Sequence, residues 1–169
     1  IVSEEVPEWP LTAQSIRHYL GASKRHEAIA SFVDLQPGVV PFLSVSGHGG
    51  AVGLIEVLSR PVAEGRGRKE ITGHLGEVIE QSAKVALSRA KLLFPEQLTN
   101  RFLHIDFGED GIAKDGPSAG VALFLAICSR AIERPVKSAF AVTGTIALVQ
   151  NTIGPVGGIR EKILAAIRA

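Results

Sequence analysis

The chain of 169 residues contains one cysteine, no methionine, one tryptophan and one tyrosine. A single cysteine excludes an internal disulfide bond and is typical of a reducing compartment. Hydrophobic residues make up 46% of the chain although aromatic residues are scarce, which predicts an aliphatic core large enough for one domain. The 18 basic and 17 acidic residues nearly cancel, so the charge balance gives no indication of nucleic-acid binding.

Long apolar runs and nucleotide-binding motifs are also missing. The longest run, residues 121–128, falls well short of the ~18 residues of a membrane span, so it predicts a buried helix and no membrane association. No signal peptide is visible, and we expect a cytoplasmic location, or the mitochondrial matrix in a eukaryote. The Walker A pattern is absent. Because the chain begins at Ile1 and has no methionine, we interpret it as a piece of a longer protein.

The histidines have neither i, i+4 pairing nor Cys/His spacing, so no metal site is expected. All five precede Ser118: His18, His26, His48, His74 and His104. His48 lies between two glycines, which indicates a hairpin turn rather than a metal or catalytic ligand. Cys128 is interpreted as a packing residue of an apolar helix.

The order of apolar segments predicts an α+β domain. Gly-rich turns between apolar runs indicate a hairpin over residues 38–62, and apolar positions at three-to-four spacing indicate a helix over 76–93. The other predicted elements are helices at 11–21 and 118–132 and after residue 158, and strands at 70–72, 101–107 and 139–149. A polar turn with Arg66, Arg68 and Lys69 could contact a partner, but a solvated turn is favoured.

Ser118 and Lys162 are the pair of residues that suggests a catalytic reaction. A serine hydroxyl needs a base to become a nucleophile, and no histidine follows Ser118 in the sequence. Lys162 follows on an apolar helix, where burial lowers the pKa of an amine and allows it to accept a proton. Backbone amides at a helix start near Ser118 could stabilise an oxyanion. This combination indicates a Ser–Lys hydrolase.

Other interpretations exist for each residue. A serine after Gly-Pro is commonly a helix N-cap, and a helical lysine is commonly solvated. Residues 116–120 also match the G-x-S-x-G elbow of α/β-hydrolases, but that family requires a histidine after the serine. A chymotrypsin-like order with His104 upstream remains formally open, although the sequence does not resemble a β-barrel protease.

The chain resembles the proteolytic domain of Lon, the ATP-dependent AAA+ protease, over residues 10–169. Segment 114–120 (KDGPSAG) is similar to the nucleophile signature of that family, and Thr143-Gly144 with segment 155–162 (PVGGIREK) is similar to its lysine signature. Segment 71–83 (ITGHLGEVIEQSA) resembles the opening of the first protease helix. Segment 16–21 resembles the end of the small helical AAA+ subdomain.

The resemblance implies a set of roles and partners. Ser118 is implied as nucleophile, Lys162 as general base, Thr143 as the residue that hydrogen-bonds the lysine, and Asp115 as part of a substrate-facing loop. Glu109, Gly116, Pro117 and Ala119 are expected in the oxyanion or substrate loop. The implied fold is a ribosomal-protein-like two-layer α/β domain with mixed sheets and packed helices. The implied assembly is a hexameric ring that degrades unfolded polypeptides.

The resemblance also implies a domain organisation. Residues 1–30 are expected to be a connector and the end of the AAA+ subdomain, and residues 31–169 a Lon-type serine protease domain without its C-terminal end. No cofactor is expected in this piece, whereas ATP and Mg are expected at an ATPase domain elsewhere in the full-length protein.

Some segments depart from the family pattern. Segment 108–113 (GEDGIA) differs from the usual Pro-Glu-Gly-Ala-Thr-Pro, Thr145 stands where a Glu is common, and segment 150–154 carries one extra residue. The departure at 108–113 motivates an alternative, a catalytically silent assembly or substrate-docking module.

Overall fold

The computed structural model describes residues 12, 15, 34–47, 49–108, 114–137 and 139–169. The elements below all belong to the unit Phe32–Ala169. His18, His26, His48, Glu109 and, apart from Thr12 and Ser15, the predicted helix at 11–21 lie outside the described residues. The predicted division of the chain near residue 30 stays a prediction.

A four-stranded sheet forms the centre of the unit. Its strands are β1 (Val39–Ser46), β2 (Gly49–Pro61), β3 (Arg68–Thr72) and β4 (Arg101–Asp106), in the order β1-β2-β4-β3. The β1–β2 and β2–β4 pairs are antiparallel and the β3–β4 pair is parallel. The predicted hairpin is confirmed, with Ser46 paired to Gly49 at its turn.

Four helices and a two-stranded ribbon are the other regular elements among the described residues. They are α1 (Glu77–Leu93), α2 (Pro95–Leu98), α3 (Gly120–Ala131), α4 (Ile159–Arg168), β5 (Thr145–Ile146) and β6 (Ile153–Gly154), with a 3-10 turn at Pro117–Ala119. The helix predicted at 76–93 is confirmed as α1. The α+β class, with mixed strand directions and packed helices, is confirmed as well.

The prediction of a strand at 139–149 is wrong for most of that range. Ala139 has a φ of 56°, which extended backbone does not allow. Val142 makes only an isolated parallel bridge to Phe42, and the regular ribbon is limited to β5 and β6. The Gly144 amide instead donates a hydrogen bond to the Ser118 carbonyl. The backbone here therefore supports the loop around Ser118 and does not form a long strand.

The core lies between one face of the sheet and helices α1 and α3. Alternate strand residues point to this face because side chains alternate along a strand, and α1 and α3 present alanines that allow close packing. The strand members are Val40, Phe42, Ile55, Val57, Leu103 and Ile105, and the helical members include Ile79, Ala83, Ala86, Ala90, Ala122, Leu123, Ala126 and Ile127. Aliphatic residues and alanine dominate this core, as the composition predicted.

Helix α4 packs against the turn end of the β1–β2 hairpin. A Cβ atom on Gly50 would lie 2.1 Å from the carbonyl oxygen of Glu161, and one on Gly158 would lie 2.7 Å from Val45. The backbone of α4 therefore touches the hairpin directly, which places the start of α4 against Val45 of β1 and Gly50 of β2, at one edge of the sheet.

Candidate active site

The loop that carries Ser118 is held by backbone hydrogen bonds before it enters α3. The Lys114 amide donates to the His74 carbonyl at 2.8 Å, and the Gly76 amide donates to the Lys114 carbonyl at 2.8 Å. Gly116 follows with a φ of 105°, a conformation that favours glycine. The 3-10 turn Pro117–Ala119 then leads into α3.

Ser118 is half-buried at the start of this helical segment. Its carbonyl oxygen accepts two hydrogen bonds, from the Gly144 amide at 2.8 Å and from Thr143 Oγ1 at 3.2 Å. The Val121 amide donates in turn to the Gly144 carbonyl at 3.0 Å. The position of Ser118 is thus defined by segment 143–144, which is distant in the sequence.

Lys162 lies in the first turn of α4 and is only 2% exposed. Its Nζ donates a hydrogen bond to Thr143 Oγ1 at 3.0 Å. Among the described residues, no carboxylate lies within ion-pair distance of Nζ. Burial removes the ammonium from water and lowers the pKa of Lys162 below its ordinary value of 10.5. This amine is therefore better suited to accept a proton than a solvated lysine is.

Thr143 connects the lysine to the serine loop. Its hydroxyl accepts a hydrogen bond from Lys162 and donates one to the Ser118 carbonyl. A hydroxyl can do both because it has one donor hydrogen and two lone pairs. Three segments that are separate in the sequence, the 118 loop, residue 143 and α4, therefore meet at one point.

A groove opens beside Ser118, with a cavity volume of about 130 Å³. Its walls come from the β1–β2 hairpin, from α1 and from the serine loop. The apolar lining consists of Phe42, Leu43, Val45, Val52, Ile79 and Ala119, while Ser44, Ser46, Lys114 and Asp115 contribute polar atoms. Such a groove beside a nucleophile can hold an apolar side chain of an extended ligand.

Asp115 lines the groove, but its carboxylate also reaches α1. Oδ1 accepts hydrogen bonds from the amides of Val78 at 3.1 Å and Ile79 at 3.2 Å, and from the Gly116 amide at 2.8 Å. Sequence reasoning placed Asp115 near substrate and did not identify this contact, nor the glycine at position 76 that leaves room for it. A glycine directly before a predicted helix was the available sequence signal for this contact, although it does not show which residue contacts the helix.

The other residues considered in the sequence lie elsewhere. His104 Nε2 is 2.9 Å from Thr72 Oγ1, which also donates to Asp106, and His104 does not line the groove at Ser118. Cys128 is partly buried in α3, and burial raises the pKa of its thiol to about 12, which makes it unreactive. Gly116, Pro117 and Ala119 all belong to the loop at Ser118.

Comparison with known proteins identifies the family. Residues 10–169 match the model of the Lon protease C-terminal proteolytic domain. The chain belongs to this family. The resemblance noted in the sequence is thereby confirmed. Since the signatures around Ser118 and Lys162 are the segments that meet in the structure, the family match and the geometry concern the same site.

Several curated relatives are similar to the chain over most of its length. Lon protease 2 of Sorangium cellulosum is 40% identical over 164 residues, and Lon protease of Dictyoglomus thermophilum is 41% identical over 162 residues. The mitochondrial Lon protease homolog of Caenorhabditis elegans is 44% identical over 142 residues. These alignments cover 94%, 92% and 78% of this chain. They cover only 20%, 20% and 14% of the relatives.

Among the described residues, no helix is long and apolar enough to cross a membrane. No group of three or more His, Cys, Asp or Glu side chains in the same residues is arranged to hold a metal ion.

Proposed function

We propose that this chain is the proteolytic domain of an ATP-dependent serine endopeptidase that uses Ser118 and Lys162 as a catalytic dyad. The observation that carries the proposal is the buried amine of Lys162, linked by Thr143 to the backbone of Ser118. A buried lysine without a carboxylate partner is costly to a fold, and the chemistry of a general base accounts for its presence. Family membership supports the same conclusion.

The proposed reaction begins with the neutral amine of Lys162. It takes the proton of the Ser118 hydroxyl while Oγ bonds to the carbonyl carbon of the scissile peptide. The lysine then returns the proton to the leaving amine as the carbon–nitrogen bond breaks, leaving an acyl-enzyme ester. Water, deprotonated by the same amine, hydrolyses the ester and regenerates Ser118. The amides of Ser118 and Ala119 in the Pro117–Ala119 turn are proposed to stabilise the oxyanion, since Pro117 has no N–H and the Gly120 amide donates to the Pro117 carbonyl.

The groove beside Ser118 suggests how a substrate binds. An extended polypeptide can place an apolar side chain between Phe42, Val52 and Ile79. Substrates of this kind become available when a protein is unfolded, because apolar side chains are buried in folded proteins. We therefore propose unfolded or damaged proteins as substrates.

The wider context is also part of the proposal. The chain spans about a fifth of the length of the first two relatives described above, so ATP and Mg are assigned to another domain of the full-length protein. By family membership we propose a homo-hexameric ring. We place it in the cytoplasm, or in the mitochondrial matrix of a eukaryote.

Cleavage of casein by the full-length protein tests the proposal. We expect Ser118→Ala and Lys162→Ala to abolish cleavage with the assembly unchanged, whereas Lys137→Met, at an exposed lysine, leaves it intact. In the wild type, kcat/KM should rise with pH as the lowered pKa of Lys162 is approached, because the neutral fraction grows. Absence of cleavage by the assembled wild-type protein with ATP would instead favour the silent docking module.

A further inference from the structure

The N-terminus of α1 has no capping side chain of its own. Its N-cap residue is Gly76, and the first amides of a helix lack partners within the helix. Oδ1 of Asp115 supplies an acceptor from another segment, with the amides of Val78 at 3.1 Å and Ile79 at 3.2 Å. These are the second and third helical positions, the ones that an N-cap side chain normally binds. The carboxylate charge is also favourable at the positive end of the helix.

Glycine at position 76 is required by this contact. A Cβ atom there would lie 2.3 Å from Cγ of Asp115 and 2.5 Å and 2.7 Å from its two oxygens. The backbone of Gly76 itself is ordinary, with φ −81° and ψ 169°, so any residue could adopt it. The glycine is therefore explained by the space that the carboxylate occupies and not by backbone conformation.

The same carboxylate is connected to the serine loop. Oδ1 also accepts a hydrogen bond of 2.8 Å from the amide of Gly116, which lies two residues before Ser118. The backbones of residues 76 and 114 are joined by a further hydrogen bond of 2.8 Å. A displacement of Asp115 from α1 must therefore alter the course of the loop at Gly116 and with it the location of Ser118.

We propose that Asp115 is a positioning residue that fixes the Ser118 loop to the N-terminus of α1, and that Gly76 makes the space for it. This inference rests on the proposed function of Ser118 and Lys162. Asp115 acts through the loop, by setting where Ser118 Oγ lies relative to the amine of Lys162. Two other roles are distinguishable by experiment: a contact to substrate, and a contribution to helix stability alone.

The test separates helix capping from loop positioning in the full-length protein. Asp115→Ala removes both functions. The double variant Asp115→Ala with Gly76→Ser restores a local N-cap, since serine at this position can bind the amides of α1, and the three obstructing atoms are gone. It does not restore the link to the serine loop.

Two readouts are needed. Thermal unfolding reports the capping of α1. Phosphonylation of Ser118 by a small alkyl fluorophosphonate reports positioning, since Oγ bonds to phosphorus, fluoride leaves, and the Ser118 proton goes to Lys162. This small reagent does not depend on the substrate groove. Hydrolysis of a fluorogenic peptide gives kcat and KM separately.

We expect Asp115→Ala to lower both the melting temperature and the phosphonylation rate, the latter roughly 10- to 100-fold, because displacement of a reacting group by about 1 Å can cost that much. In the double variant the melting temperature should recover while the phosphonylation rate and kcat stay low. Recovery of both would show that Asp115 only stabilises the helix and would overturn the inference. A raised KM with unchanged phosphonylation would assign Asp115 to substrate binding and overturn it as well.

Two more variants tighten the test. Asp115→Asn keeps an oxygen acceptor for the three amides, so it should retain more of the phosphonylation rate than Asp115→Ala. Gly76→Ala should slow the wild-type enzyme but cause no additional loss in the Asp115→Ala background, whereas independent, multiplicative losses would contradict the inference. If the wild type itself is neither phosphonylated at Ser118 nor able to cleave peptide, the proposed function fails, and the inference fails with it.

Discussion

At the scale of single residues, the side chain of Lys162 determines what this site can do. A primary amine that is 2% exposed and bonded only to a hydroxyl among the described residues is held in an environment that opposes its charge. The same property that makes it a base makes it unfavourable for stability, because the folded state must desolvate the ammonium. Stability and activity therefore depend on this residue in opposite directions.

Because burial of the ammonium is unfavourable for stability, we expect Lys162→Met to stabilise the domain at neutral pH. The pKa of Lys162 is lowered in the folded state, so the unfolded chain binds more protons and wild-type stability rises as pH increases from the folded pKa towards 10.5. Methionine has no charge to desolvate and shows no such rise. The variant should exceed the wild type at pH 7 by about 1.4 kcal/mol for each pKa unit of lowering, and the difference should shrink near pH 10.

Urea unfolding at several pH values measures this difference. Lys137→Met is the matched control, since it makes the same substitution at an exposed lysine. A Lys162→Met variant less stable than the wild type at pH 7 would contradict the prediction and would mean that the bond to Thr143 outweighs the cost of burial.

At the scale of elements, the position of Lys162 depends on how closely α4 approaches the β1–β2 hairpin. Gly50 allows the backbone of Glu161 to touch the strand, and Lys162 is the next residue along the helix. Periodicity in the sequence predicted α1 and the hairpin, because their apolar patterns are local. It failed at 139–149, where the backbone hydrogen bonds to Ser118 depend on a distant loop.

Gly50→Ala tests the importance of this approach. The new Cβ atom would lie 2.1 Å from the Glu161 carbonyl oxygen and 3.1 Å from Ala165, so α4 must shift and move Lys162 away from Thr143. We expect phosphonylation of Ser118 to slow by roughly tenfold or more, as misplacement of a catalytic group does. Gly47→Ala is the control, since Gly47 lies in the turn just before β2 and its Cβ atom would meet nothing within 4 Å. Equal rates in the two variants would exclude this role for Gly50.

At the scale of the whole molecule, one core supports every part of the site. The buried cluster includes Phe42 of the hairpin, Ile79 of α1, Ala119 of the serine loop and Ile105 of the central strand β4. The groove beside Ser118 is lined by three of these residues, Phe42, Ile79 and Ala119. Residues of the core therefore form part of the wall of the site.

Truncation of Ile105 should accordingly weaken the fold without changing the chemistry of the folded fraction. Ile105 is fully buried, and Ile105→Ala should lower the free energy of unfolding by about 2–5 kcal/mol through lost burial and a cavity. Leu58→Ala, at a side chain that is 52% exposed, should cost far less. Denaturant unfolding measures both variants, and similar costs for the two would contradict this description of the core.

The sequence by itself determined the family, the residues of the proposed dyad and the elements with a local apolar pattern, such as α1 and the β1–β2 hairpin. Local apolar spacing is enough to specify such helices and strands, and the signatures around Ser118, Thr143 and Lys162 are contiguous strings that can be recognised without coordinates. Only the tertiary structure decided how deeply Lys162 is buried, that Thr143 bridges it to the Ser118 carbonyl, and that Asp115 caps α1 across Gly76. These features are contacts between segments far apart in the chain, and their strength depends on distance and desolvation, which a linear pattern does not encode.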